Sequence, residues 1–72
     1  MLRGDLKKEL TPRELQVVIL ITEGLSNKEI AARLGISPHT MKGHAALARE
    51  KLGLHSKVEL TLWAIRNKLV EV

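Results

Sequence analysis

The chain has 72 residues, no cysteine, one aromatic side chain and a formal net charge of +4. That is enough for one small domain and too little to bury the core of a typical enzyme; disulfides and thiolate metal sites are excluded, and the content fits a reducing cytoplasm. The basic excess leans toward a polyanionic partner, a solvated surface being the plainer reading, and the single ring, Trp63, leaves no platform for stacking unpaired bases, which argues against RNA or single strands.

Residues 1–9, MLRGDLKKE, precede any helix start and carry no apolar face worth burying. They read as a flexible N-terminal arm, and residues 10–72 as the domain. Thr11-Pro12-Arg13-Glu14 opens a first helix near 12–23: a hydroxyl that accepts from a free backbone N–H, a proline where a missing N–H costs nothing, and an acid that reciprocates. Val17, Val18 and Ile21 mark its core face, which leaves Leu15 and Ile19 as an outward apolar pair, either open or partly covered by the N-terminal arm. The longest apolar run, Val17 to Ile21, is far too short to cross a membrane, and no charged leader precedes an apolar core. A cytoplasmic protein without a membrane partner is expected.

Ser26-Asn27-Lys28-Glu29 repeats the capping pattern and opens a second helix near 27–34, stopped by Gly35. Only Gly35, Ile36 and Ser37 separate it from the next helix, which forces the sharp corner of a helix-turn-helix. Ile30, Ala31, Leu34, Ile36 and Met41 supply the apolar contacts inside that corner. An ordinary helical hairpin within a bundle is the plainer alternative.

Ser37-Pro38-His39-Thr40 starts a third helix near 38–52 and has the cap and the proline but no acid. At about 100° per residue, Met41, Ala45, Ala48 and Leu52 form the core stripe. Opposite lie His39, Gly43, Ala46 and Glu50, with Lys42 and Arg49 on one shoulder and Thr40, Leu47 and Lys51 on the other. From Ile30 through Arg49 there is no acid, as suits a surface that must approach phosphates with a helix N-terminus leading. Gly43 is costly inside a helix, by about 1 kcal/mol relative to alanine, so folding does not account for it.

Ser56-Lys57-Val58-Glu59 opens a fourth helix near 57–67. If Leu60, Thr61, Ala64 and Ile65 fill the core, then Val58 and Leu62, with Trp63 beside them, remain as a dimer surface; for Trp63 taken alone, core packing is the safer reading. The three histidines, at 39, 44 and 55, have no carboxylate at catalytic spacing and no three-ligand pattern, so neither catalytic residues, nor a metal, nor a cofactor is expected. His44 lies near the core edge of its helix and reads as a buried, hydrogen-bonded side chain, with a phosphate contact as the alternative.

The segments LTPRELQVV, EGLSNKEIAARLGIS, HTMKGH, KLGLHSKVEL and WAIRNKLV resemble, in order and spacing, the LuxR-type (GerE-like) DNA-binding domain of bacterial transcription regulators, over residues 10–70. The resemblance implies an all-α, four-helix domain whose third helix enters the major groove of double-stranded DNA and whose fourth pairs two copies into a homodimer. It implies base reading at Lys42, Gly43 and Ala46, to which His39 adds its exposed imidazole. Asn27, Lys28, Thr40 and Lys51 match positions that approach phosphates, with Arg49 beside them on the basic shoulder, and Glu14 and Glu29 match structural acids. Position 43 usually carries a larger side chain, 46 a long polar one, 47 a polar one and 48 a large aliphatic one, so Gly43, Ala46, Leu47 and Ala48 all depart from the pattern. The alternative function is a protein-interaction module that keeps the fold and binds or sequesters another regulator through Leu15, Ile19 and the fourth helix.

Overall fold

Each helix begins where a hydroxyl meets the backbone. The computed structural model of the chain describes residues 9–69 and contains four α-helices: α1 (Pro12–Thr22), α2 (Asn27–Leu34), α3 (Pro38–Leu52) and α4 (Lys57–Arg66). At α1, Thr11 Oγ1 accepts from Glu14 N at 3.1 Å while Glu14 Oε1 accepts from Thr11 N at 2.9 Å. Ser26 and Glu29 make the same reciprocal pair at α2, at 3.1 and 2.8 Å. Two free donors are satisfied at each end, which is why these short helices start where the sequence says.

At α4 the pattern is only half realised. Ser56 Oγ accepts from Glu59 N at 3.2 Å, but the Glu59 carboxylate takes the N–H of His55 instead of that of Ser56. Ser56 sits at φ −152°, whereas the other three caps lie between −70° and −75°. That rotation redirects the cap N–H and hands the acid the preceding one.

The corner between α2 and α3 closes on Gly35, whose φ of 70° and ψ of 32° fall in the left-handed region that glycine enters without penalty. Its N–H and that of Ile36 return to Ala32 O and Ala31 O at 3.2 and 3.0 Å, capping the last carbonyls of α2. Gly53 ends α3 in the same way, through its own bond to Glu50 O and that of Leu54 N to Arg49 O. Arg13 donates to Leu34 O at 3.4 Å, pinning the end of α2 to α1.

α1 is the central strut: it packs against α3 and α4, and α2 packs on α3. Val17 and Val18 from α1, Ile30 from α2, Met41 and Ala48 from α3, and Leu60 and Ala64 from α4 have no exposed surface. The all-α, four-helix architecture and the stripe Met41, Ala45, Ala48 and Leu52 are as the sequence implies.

Two apolar expectations are corrected. Leu60, Trp63 and Ala64 form the buried face of α4, while Thr61 and Ile65 are half-buried, so the helix is rotated toward Trp63 and the indole is core rather than interface. Leu15 is half-buried against the core, not an outward residue paired with Ile19; its spacing of three from Val18 brings it onto the edge of the same face. The arm expected at 1–9 lies, apart from Glu9, outside the described residues, as do residues 70–72 of the domain.

Candidate nucleic-acid interface

α3 presents its outward face as the sequence arranges it. His39, Thr40, Lys42, Gly43, Ala46, Leu47 and Glu50 are exposed, opposite the buried stripe. At its N-terminus Ser37 Oγ accepts from Thr40 N at 3.0 Å and donates to Thr40 Oγ1 at 2.9 Å, so the cap is completed by two hydroxyls without a carboxylate. The first turn of α3 carries no acid, and the positive end of the helix dipole is left uncancelled.

Beside that face lies a cleft lined by Asn27, Lys42, Ala45, Ala46, Arg49 and Lys57. Three helices build it: Lys42 and Arg49 come from α3, Asn27 is the first residue of α2 and Lys57 the first residue of α4. Three cations and two helix N-termini therefore converge with no carboxylate in the lining, which makes the cleft attractive to an anion. The Asn27 Oδ1 atom is buried there without a hydrogen-bond partner among the described residues. Lys28, the next residue of α2, is exposed and lies outside the lining of the cleft.

Lys57 was not among the residues singled out in the sequence. It belongs to a different helix from Lys42 and Arg49, and no local spacing connects position 57 with positions 27, 42 and 49. The only available signal was its place as the first residue after a Ser cap, where a lysine opposes the helix dipole at some cost and so invites another explanation.

Lys51 has a different task. Its Nζ donates to Glu14 Oε1 at 2.9 Å and to the Glu9 carbonyl at 3.2 Å. Glu14 is 2% exposed, so Lys51 is the counter-ion of a buried carboxylate. Drawing it toward a phosphate would strand that charge, and the phosphate role expected for Lys51 is replaced by a structural one. Burial pushes the Glu14 carboxyl up, but the bonds from Lys51 and from the Thr11 N–H, together with the charges of Lys51 and His44, outweigh it and hold the group below its ordinary value of 4.5. His44 is half-buried on that side of α3, close enough for its charge to act on Glu14. Glu29 is also held low, by the N–H and hydroxyl of Ser26. Both acids implied as structural thus serve as helix caps.

On α4, Val58 and Leu62 stand one turn apart and are exposed by 68% and 46%. Among the described residues no group of three His, Asp or Glu side chains is placed to hold a metal, and no helix is long and apolar enough to cross a membrane.

A short corner between two capped helices, a second helix at that corner whose first three turns carry no acid, and a cationic cleft along it are the features of a helix-turn-helix DNA-binding domain. Residues 8–64 match the family of bacterial regulatory proteins described as the luxR family, and the chain belongs to it. It is 45% identical over 68 residues to the oxygen regulatory protein NreC of Staphylococcus aureus (strain MRSA252), covering 94% of this chain and 31% of that protein. It is 47% identical over 71 residues to Rv0890c of Mycobacterium tuberculosis (strain ATCC 25618 / H37Rv), whose name marks it as a candidate HTH-type transcriptional regulator, covering 90% of this chain and 8% of that protein. The chain thus spans about a third or less of the length of these relatives, and what they share with it is the domain. Membership makes the domain a DNA-binding rather than an enzymatic one.

Proposed function

We propose that this chain regulates transcription by docking α3 in the major groove of double-stranded DNA, with α2 and the start of α4 seated on the flanking phosphates. The observation that carries the reading is the cleft of Asn27, Lys42, Arg49 and Lys57 beside an outward helix face free of acid through three turns. Phosphate contacts from Asn27, Lys28, Thr40, Arg49 and Lys57 supply most of the affinity and set the orientation. Lys42 reads base edges with His39, and Gly43 and Ala46 let the helix backbone approach closely.

Two copies pair through Val58 and Leu62 of α4, as an inverted repeat requires. Those two side chains are a small apolar patch compared with the roughly 800 Å² that each partner of a stable complex buries. Pairing is therefore weak in free solution and becomes effective when two half-sites hold the copies side by side. The names of the relatives, an oxygen regulatory protein and an HTH-type regulator, fit a role in gene control.

The test is Lys42→Ala on a duplex obtained by selection from random sequence. Binding weakens by about 1–3 kcal/mol and discrimination relaxes at the contacted base pair. Unchanged affinity with an unchanged footprint removes Lys42 from the interface and, with it, this docking of α3.

A further inference from the structure

The side of α1 turned toward the end of α2 is apolar and open. Ile19 and Leu20, three and four residues beyond Gln16, share one face of α1 with it. With Arg33 and Leu34 from the last turn of α2 they line a groove of about 240 Å³. Arg13, one turn before Gln16, donates to Leu34 O at 3.4 Å and so fixes the separation of the two walls. Leu20 and Leu34 lean on the core from one side, whereas Ile19 is half-buried without packing on it. The groove shares no residue with the cationic cleft. Asn27 of the cleft and Leu34 of the groove stand at opposite ends of α2, roughly 10 Å apart along its axis.

Size and rim select the occupant. Small-molecule pockets run from roughly 300 to 1,000 Å³, so this groove is too small to enclose a cofactor and suits a single aliphatic side chain. The three aliphatic side chains in its lining have no donor to offer a phosphate, which sets it apart from the surface proposed for DNA. Its charge lies at the rim. Arg33 is 57% exposed, makes no hydrogen bond among the described residues and stands 3.9 Å from Glu23, itself 51% exposed. That separation is beyond hydrogen-bond reach and such a pair contributes little, so a carboxylate arriving at bonding distance displaces Glu23. No acid occurs from Ile30 through Arg49 and the chain carries +4, so an acidic partner is attracted here and a basic one repelled.

We propose that this groove docks an acidic segment of another protein, which inserts one aliphatic side chain between Ile19, Leu20 and Leu34 and lays a carboxylate on Arg33. The docking goes beyond the binding of DNA proposed above: it leaves the cleft and the outward face of α3 free, so that the segment and a duplex are held at once.

The experiment selects random peptides displayed on phage against the intact chain and titrates the enriched sequences as free peptides by calorimetry. The enriched peptides carry Leu, Ile or Met within one turn of Asp or Glu. Ile19→Asp lowers their affinity by about tenfold, the loss of one buried aliphatic contact. Arg33→Glu, at a position more than half exposed, lowers it by about fivefold and keeps the urea midpoint and circular dichroism of the parent. Replacing the acid of the peptide by lysine weakens binding to the parent and restores it in Arg33→Glu, a reversal that unspecific adhesion to an apolar surface does not give. A duplex obtained by selection changes peptide affinity by no more than about twofold, as expected of sites without shared partners. Selection that enriches no peptide or only peptides without an acid, affinity indifferent to both substitutions, or displacement of the peptide by the duplex each overturns the proposal.

Discussion

Gly43→Ala should make the protein more stable. Gly43 is the sixth residue of the fifteen in α3, helical, exposed and not at positive φ, unlike Gly24, Gly35 and Gly53. A Cβ added there meets nothing within 4 Å, so no clash or backbone strain opposes the change. The whole difference in helix propensity is then realised, about 1 kcal/mol in favour of alanine, because the unfolded chain loses freedom that the helix never had. For a domain of this size that corresponds to a rise of roughly 4–8 °C in Tm. Urea unfolding followed by the emission of Trp63, the only tryptophan and 9% exposed, reports the core, and far-ultraviolet circular dichroism reports the helices. The midpoint should rise by about 1 M at an unchanged slope near 1 kcal/mol/M. Gly35→Ala supplies the control of opposite sign: at φ 70° the same methyl is strained and should cost about 1–2 kcal/mol. If Gly43→Ala leaves the midpoint where it was or lowers it, the glycine has a structural task in α3 and cannot be explained by the surface it exposes.

Three further outcomes follow from the same geometry. Lys51→Ala removes the counter-ion of the buried Glu14 carboxylate and should cost about 2 kcal/mol near neutral pH, below the full loss for a completely buried pair because Lys51 keeps a third of its side chain exposed; a neutral result would return Lys51 to the list of free surface cations. The carboxyls of Glu14 and Glu29 are depressed in the folded state, so the unfolded chain binds protons first and stability present above about pH 4.5 is lost as the pH falls through their folded values. Denaturation midpoints between pH 6 and 3 should trace that loss, and Glu14→Gln should make the curve flatter; an unaltered curve would mean that Glu14 is not depressed. Leu62→Asp should leave folding intact and reduce cooperative occupation of a two-half-site duplex by about tenfold, read by sedimentation and gel shift, whereas persistent cooperativity would move the contact between copies off α4.

Much of the fold is legible because it is written locally. The Thr11–Glu14 and Ser26–Glu29 boxes, the prolines at 12 and 38 and the glycines at 35 and 53 each act within four residues, and the helix bounds follow from them. The rotation of α4 is less legible, since Val58, Leu60, Leu62, Trp63, Ala64 and Ile65 surround most of its circumference and several orientations bury a plausible stripe. Packing on α1 decides it, and that is a long-range choice. The Glu14–Lys51 pair joins residues 37 apart, so nothing near Lys51 in sequence separates a counter-ion from a phosphate ligand. The cleft was half legible: Lys42 and Arg49 stand out by charge and position and Asn27 through the family resemblance, whereas Lys57 enters it only because α4 begins beside α3.

The most direct test is the salt dependence of duplex binding by the intact chain and by Lys57→Ala. If the cleft holds DNA as proposed, Lys28, Arg49 and Lys57 displace counter-ions from phosphates, so the logarithm of the association constant should fall against that of salt with a slope of about −3 per bound copy, and Lys57→Ala should reduce its magnitude by about 1. A flat salt response, or a slope and affinity that Lys57→Ala leaves unchanged, would show that the cleft does not hold DNA and would favour instead a helix-turn-helix fold used to bind another regulator.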